Sequence, residues 1–321
     1  MRRALVLLVV GVSLVSLACS SSDPGVDTGA ATTTTSAPGP GGALGAQLGT
    51  LEPEPTGAFV GEAAQRTMAV ETGTFLVSMV IDQGGPDELL IMQVEGTYDR
   101  DRGVSSTLLD ISGLAERAPE ALTVDPDEAE VMTVVFRDPL EIVEDDDTTY
   151  LRASRLTDLL QSPTEWVTMP LESADSFGGI ASAFQVGDLT EFLSGLDSAG
   201  AVDDLGREDL DGTDVWHYRV EIGDDHPGGG LFGAVAGEVD DRNTVEVWVD
   251  ETGLIHRMTA VGSTAAVMPA LGADFGGADL ADIDFGPGDI TLVIELRDIG
   301  VPADVEVPDV SETTPLDTLG S

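Results

Sequence analysis

Residues able to do chemistry are few in this chain, and their spacing assembles no catalytic centre. The three histidines, His217, His226 and His256, stand apart and match neither HExxH nor any other metal-ligand spacing. Lysine is absent, which removes Schiff-base chemistry and the phosphate-binding P-loop. Gly228, Gly230 and Gly233 have the spacing of a dinucleotide loop, but they follow His226-Pro227 in a glycine-rich stretch where the motif requires a strand. Two sets of acids, Glu208, Asp209, Asp211 and Asp214, then Asp279, Asp282 and Asp284, could approach calcium. Neither has the ligand order of an EF-hand, and solvated turns account for both in so acidic a chain. The expectation is a protein that is not an enzyme and needs no metal or cofactor.

The remaining reactive group is Cys19, the single cysteine. Arg2 and Arg3 precede an apolar run from Ala4 to Leu17 that stops at Ala18-Cys19. The run falls short of the roughly 20 apolar residues of a comfortable bilayer span, so a cleaved secretion signal over residues 1–18 explains it better than a retained helix. With Ser20, Ser21 and Ser22 following, the junction resembles a bacterial lipobox, although Ser16 stands where Leu is usual. Cys19 is then the acylated anchor; an ordinary signal peptide with a coincidental cysteine is the alternative. With no second cysteine, no intramolecular disulfide can form, and stability must come from a packed core.

Composition limits the partners. A formal charge of -45, with all basic residues arginine, repels nucleic acid and anionic headgroups, so membrane attachment rests on the acyl anchor and not on basic patches. The same surface suits a saline habitat. Residues 19–56 are rich in Ser, Thr, Gly, Pro and Ala, cannot offset their ordering entropy by burial, and are expected to form a disordered tether. A wall-spanning or glycosylated stalk, with Thr32 to Thr35 as acceptors, is the alternative. A tail is expected over 311–321, which leaves 57–310 for a folded domain.

That domain opens with a helix, since Phe59, Val60, Ala63, Thr67 and Val70 recur at three- and four-residue intervals. After Gly73 the period becomes two. Phe75, Val77, Met79 and Ile81 share one strand face over 74–82, and Leu90, Met92, Val94 and Tyr98 share one over 89–98, a hairpin around Gly84 to Asp87. Further strands are expected at 104–112, 130–137, 140–144, 148–152 and 165–169, with Glu144 to Asp147 as a turn. Leu156, Leu159 and Leu160 mark a short helix. Leu189, Phe192, Leu193 and Leu196 mark a second, with Asp188 and Glu191 at capping-box spacing and Gly200 at its stop. Strands resume at 202–209, 213–222, 243–250, 254–262 and 289–298, with Asp211-Gly212 as a tight turn in an antiparallel meander.

The order of one helix, a long meander, a helical interruption and more strands resembles the actinobacterial lipoproteins of the LppX and LprG kind, which share a fold with the Lol-type lipoprotein carriers. The resemblance is carried by Thr149-Tyr150-Leu151-Arg152, Trp166-Val167, Gly206 to Val220 with His217-Tyr218, Val247-Trp248-Val249-Asp250 with Gly253-Leu254 and Arg257, and Ile299-Gly300-Val301-Pro302. It covers most of residues 56–310. It implies an α+β fold: a strongly curved antiparallel sheet, or half-barrel, with helices covering its concave face around an apolar cavity for lipid or glycolipid acyl chains. The Gly- and Ala-rich stretches 226–238 and 263–288 depart from the pattern and read as loops in preference to a lid.

The expected function is therefore a non-catalytic lipoprotein on the extracytoplasmic face of a cell membrane, binding or carrying an acyl chain. Phe75, Val77, Met79, Leu90, Met92, Val94, Phe136, Leu189, Phe192 and Leu196 are the cavity candidates. Rows of this kind also line any filled core, so a surface interaction or regulatory module of the same fold with a closed core is the alternative; an exported hydrolase is the remote third reading. Replacing Cys19 with Ser should move the protein from the detergent phase to the soluble exported fraction; because stable anchoring takes more than one chain, wild type should carry at least two acyl groups by mass spectrometry.

Overall fold

The computed structural model describes residues 48–83, 88–113, 137–145, 147–170, 190, 193–196, 199–222, 244–264, 267 and 288–319. Cys19, residues 130–136 of the strand expected at 130–137, with Phe136, and Leu189, Phe192, His226, the GxGxxG glycines and Asp279 to Asp284 lie outside them.

Helix α1 (Gly57–Met68) starts where Thr56 places its hydroxyl to accept the Phe59 N–H at 3.2 Å, satisfying one of the orphan donors of the first turn. Among the described residues twelve strands follow: β1 (Thr72–Asp82), β2 (Leu89–Asp99), β3 (Val104–Asp110), β4 (Leu140–Asp145), β5 (Thr148–Arg152), β6 (Trp166–Pro170), β7 (Ala199–Leu210), β8 (Thr213–Ile222), β9 (Thr244–Asp250), β10 (Ile255–Ser263), β11 (Asp289–Arg297) and β12 (Thr313–Pro315). Helix α2 (Ser154–Leu160) lies between β5 and β6. All twelve strands form one open sheet in the order β12-β6-β5-β4-β3-β2-β1-β11-β10-β9-β8-β7. The chain starts at the middle with β1, works outward to β6, passes to the far edge at β7 and returns to pair β11 with β1.

Turn chemistry fixes the registers. Asp211 and Gly212 have φ of 53° and 90°, as a two-residue hairpin turn between β7 and β8 requires, and Asp209 accepts the Gly212 N–H. Between β9 and β10, Asp250 Oδ1 accepts the Thr252 N–H, the Thr252 hydroxyl and the Leu254 N–H, while Oδ2 meets His256 Nε2 at 2.9 Å. Burial alone would raise the Asp250 carboxyl, but the bonds from His256, Leu254 and Thr252 hold it below the usual carboxylate range. Arg66 of α1 donates to the carbonyls of Thr252 and Leu48, and the Leu51 N–H donates to the Glu251 carbonyl. Leu48 and Leu51, within the tether expected over 19–56, thus bond to α1 and to this hairpin.

Helix α1 lies on one face of the sheet, here the inner face. Phe59 meets Tyr218 edge-on with ring centroids 5.4 Å apart, and buried Thr67 both donates to the Ala63 carbonyl and accepts the Ile255 N–H at 2.9 Å. Leu193 and Leu196, from the crossing between the two edges, enter the same core. A second, smaller core forms on the opposite face, where Val104, Val143, Tyr150 and Trp166 pack under Val305 with Ala303 and Val307.

That second core explains two departures from expectation. The segment after β11 runs across the outer face as a strap and ends in β12, which pairs with β6 in parallel, so the sheet is mixed and not wholly antiparallel. Within the stretch expected as a tail, 311–321, β12 is flanked by 3-10 turns at Val310–Glu312 and Leu316–Thr318. Gly200 is not a helix stop; it lies within β7. Glu144 and Asp145 belong to β4, so the acidic turn begins after them.

The largest correction concerns Leu90. The β1–β2 register shifts between Met79, opposite Met92, and Val80, opposite Leu90, which leaves Ile91 as an extra residue in a bulge. The bulge reverses the parity of everything on its Leu89 side. Leu90 turns outward with 44% exposure, while Ile91 is buried at 2%.

Two outcomes follow. Leu90→Ser should change unfolding free energy by less than about 0.5 kcal/mol, whereas Met92→Ala should cost about 2–5 kcal/mol, both read from urea denaturation. Asp250→Ala should cost about 1–3 kcal/mol at neutral pH. Because folding lowers the Asp250 pKa, its contribution is complete above the ordinary aspartate value of 3.8 and disappears as pH falls through the folded value, so melts of the two proteins should converge in acid.

Candidate functional site

Cross-strand register organises the inner face into transverse rows. Moving outward from the β1–β2 turn, one row joins Met92, Met79, Leu292, Ala260, Val245, Val220 and Val202. The next joins Leu140, Leu109, Val94, Val77, Ile294, Met258, Val247 and Tyr218, an unbroken apolar line across eight strands. A third joins Leu296, Phe75, Gly96, Thr107, Ile142, Leu151 and Val167. Alternation alone generates these rows, because residues directly opposite on neighbouring strands share a face.

Of the sequence candidates, Phe75, Val77, Met79, Met92, Val94 and Leu196 fall into the one inner core, each buried to 6% exposure or less. Leu90 does not, and Phe136, Leu189 and Phe192 are outside the described residues. Ile91 and the β9–β11 contributors Val247, Met258, Leu292 and Ile294 belong to the same surface. For β11 the signal was available in the alternation of Ile290, Leu292, Ile294 and Leu296.

Glycine 96 gives the rows their local shape. A Cβ there would lie 2.2 Å from Phe75 Cζ, so the ring occupies the space a side chain would need. Three methionines, Met79, Met92 and Met258, line the middle rows; their unbranched thioethers adapt to irregular apolar partners.

The titratable groups of the inner face are held neutral or engaged. Burial raises the Tyr98 hydroxyl against the opposing pull of Arg100, and burial with the Asp204 carboxylate pushes Tyr218 up to about 12, so both remain protonated hydrogen-bonding groups. On the outer face His217 stacks on Trp248 with centroids 4.1 Å apart, between Glu208 and Glu246, while Glu295 is raised by burial but brought below its usual range by Arg297 and Arg257. His217 and His256 engage separate carboxylates. Among the described residues no group of His, Cys, Asp and Glu side chains is arranged to hold a metal ion. What the inner face can do chemically is to hold apolar matter away from water.

No family model matches the chain, and no curated protein is significantly similar to it. Solved structures are. LprF from Mycobacterium bovis is 13% identical with a TM-score of 0.40, covering 81% of this chain and 99% of that one. The lipoprotein LppX from Mycobacterium tuberculosis is 12% identical with a TM-score of 0.40, covering 78% and 97%. A LolA-superfamily protein from Nitrosomonas europaea is 11% identical with a TM-score of 0.23, covering 81% and 98%. The chain is thus similar to solved structures of the LppX kind and of the LolA superfamily, the groups that its motifs resemble.

Proposed function

We propose that this chain is an exported lipoprotein, anchored to the outer face of a membrane through acyl chains on Cys19, that binds or carries an acyl chain against the inner face of its sheet without chemical change. The observation that carries the reading is the apolar line from Leu140 to Tyr218 across eight strands, backed by the parallel line from Met92 to Val202. A linear hydrocarbon chain needs a long apolar surface without polar interruptions, and two adjacent rows supply one. The sheet in this reading is strongly curved, and helices roof its concave side; the packing of α1 against β7 and β10 supports it. The lipobox-like junction at Cys19 and the resemblance to carrier lipoproteins support the same placement.

A closed-core interaction module is the second reading, and the near-complete burial of Met79, Val94 and Leu292 favours it. Added volume separates the two. Met92→Trp in a filled core should cost about 1–3 kcal/mol through overpacking. In an acyl-binding interior the indole takes space from the ligand, so bound lipid per chain should fall while the melting temperature of delipidated protein is kept. The measurement pairs native mass spectrometry of protein purified from its own host with thermal melts after delipidation. Destabilisation of the variant, with no lipid on either protein, would replace the carrier reading with the interaction module.

A further inference from the structure

Beyond the apolar rows, the inner face changes character at one end. The next transverse row joins four polar residues, Tyr98 of β2, Ser105 of β3, Glu144 of β4 and Thr149 of β5, through consecutive cross-strand pairs and ends at Met169 of β6. Parity puts all four on the inner face: Tyr98 belongs to the main core, and Ser105, Glu144 and Thr149 alternate with Val104, Val143 and Tyr150 of the outer-face core. Ser105 donates to Glu144 Oε2 at 3.1 Å. Thr149 is fully buried, and its hydroxyl has no hydrogen-bond partner. A buried hydroxyl that makes no bond is costly, and native folds seldom keep one without a use. Along the strands, then, the face runs from Leu140, Leu109 and Val94, through Ile142 and Thr107, to a polar row that contains an unmet donor and acceptor.

We infer that the Tyr98–Ser105–Glu144–Thr149 row is a head-group site for a lipid bearing a neutral hydroxyl, such as a diacylglycerol, with Thr149 Oγ1 exchanging a hydrogen bond with that hydroxyl. This rests on the acyl-binding reading above and adds the chemistry of the head. The hydrocarbon lies along the apolar rows, and the glycerol hydroxyl reaches Thr149 and the Ser105–Glu144 pair. Tyr98, Ser105 and Thr149 present neutral hydroxyls, which match a neutral head, and Glu144 already accepts from Ser105. The neighbouring cation, Arg100, is held by the Met68 carbonyl and the Thr190 hydroxyl, with its guanidinium 5.2 Å from the Tyr98 ring.

The test titrates delipidated protein with 1,2-dioleoylglycerol, with the same lipid acetylated at its free hydroxyl, and with dioleoylphosphatidic acid, read by native mass spectrometry. Wild type should bind dioleoylglycerol about tenfold more tightly than the acetylated form, the effect of one buried hydrogen bond, and phosphatidic acid more weakly than dioleoylglycerol. Thr149→Val should remove the preference for the free hydroxyl, leave the acetylated lipid unaffected, and keep or raise the melting temperature of lipid-free protein, since it deletes an unsatisfied group. Equal binding of the free and acetylated lipids by wild type, tightest binding of phosphatidic acid, or a lipid-free Thr149→Val protein that melts several degrees lower would each overturn the head-group assignment while leaving acyl binding standing. Failure of all three lipids to bind would overturn acyl binding and this site together.

Discussion

Strand β1 makes ladder hydrogen bonds along both edges, to β2 on one side and to β11 on the other, and the two halves of the sheet meet only at that strand pair in the order of strands. Its nine-pair register with β11 joins residues more than two hundred positions apart in sequence. Such a contact repays its loop-closure entropy only late in folding, so the rows of the inner face cannot align until the C-terminal strands arrive. The apolar line from β4 to β8 is continuous because this one pairing is in register. A one-residue slip there would turn Ile290, Leu292 and Ile294 outward and break the surface at its centre.

The outer face solves a different problem. With no lysine and a large excess of carboxylates, its arginines serve as counter-ions, and two of them also as cover. Arg152 lies over Trp166 and pairs with Glu141; Arg257 lies over Trp248 and pairs with Glu295. Exposed ion pairs of this kind contribute little stability one by one. The planar guanidinium adds what an ammonium would not, a flat surface that shields an indole while donating to carboxylates. On the β3 to β6 side, where the outer face carries Val104, Val143, Tyr150 and Trp166, the strap from Val301 to Val307 supplies the cover.

Strands with one wet face were legible in the sequence. β1 alternates strictly, and β8 does so around Trp216 to Ile222, and their boundaries agree with the pattern to within two residues. The polar row at the end of the inner face was not legible, and β5 shows why. In Thr149-Tyr150-Leu151 both Tyr150 and Leu151 are buried, one under the strap and one in the inner core, so hydropathy marks neither face and Thr149 passes for a solvent residue. Leu90 misled for the opposite reason. Its alternation with Met92 and Val94 is perfect in sequence, and only the bulge at Ile91 breaks it in space. A strap far along the chain and a single inserted residue are both tertiary facts, and no local period carries them.

The parallel addition of β12 to β6 has a bearing on how the molecule survives as a separate particle. An open sheet leaves two rims of unpaired backbone, each able to recruit a neighbour. At β7 the rim carries Asp203, Asp204, Glu208 and Asp209, and mutual repulsion keeps a second copy away. At β6 the sequence is Trp166-Val167-Thr168-Met169, without a charge, and the three residues Thr313, Thr314 and Pro315 are what occupy it. A protease that clipped the strap would therefore uncover a short, apolar, uncharged seam on an otherwise highly charged body, and would give one rim of the sheet the means to pair edge to edge with the same rim of a second copy.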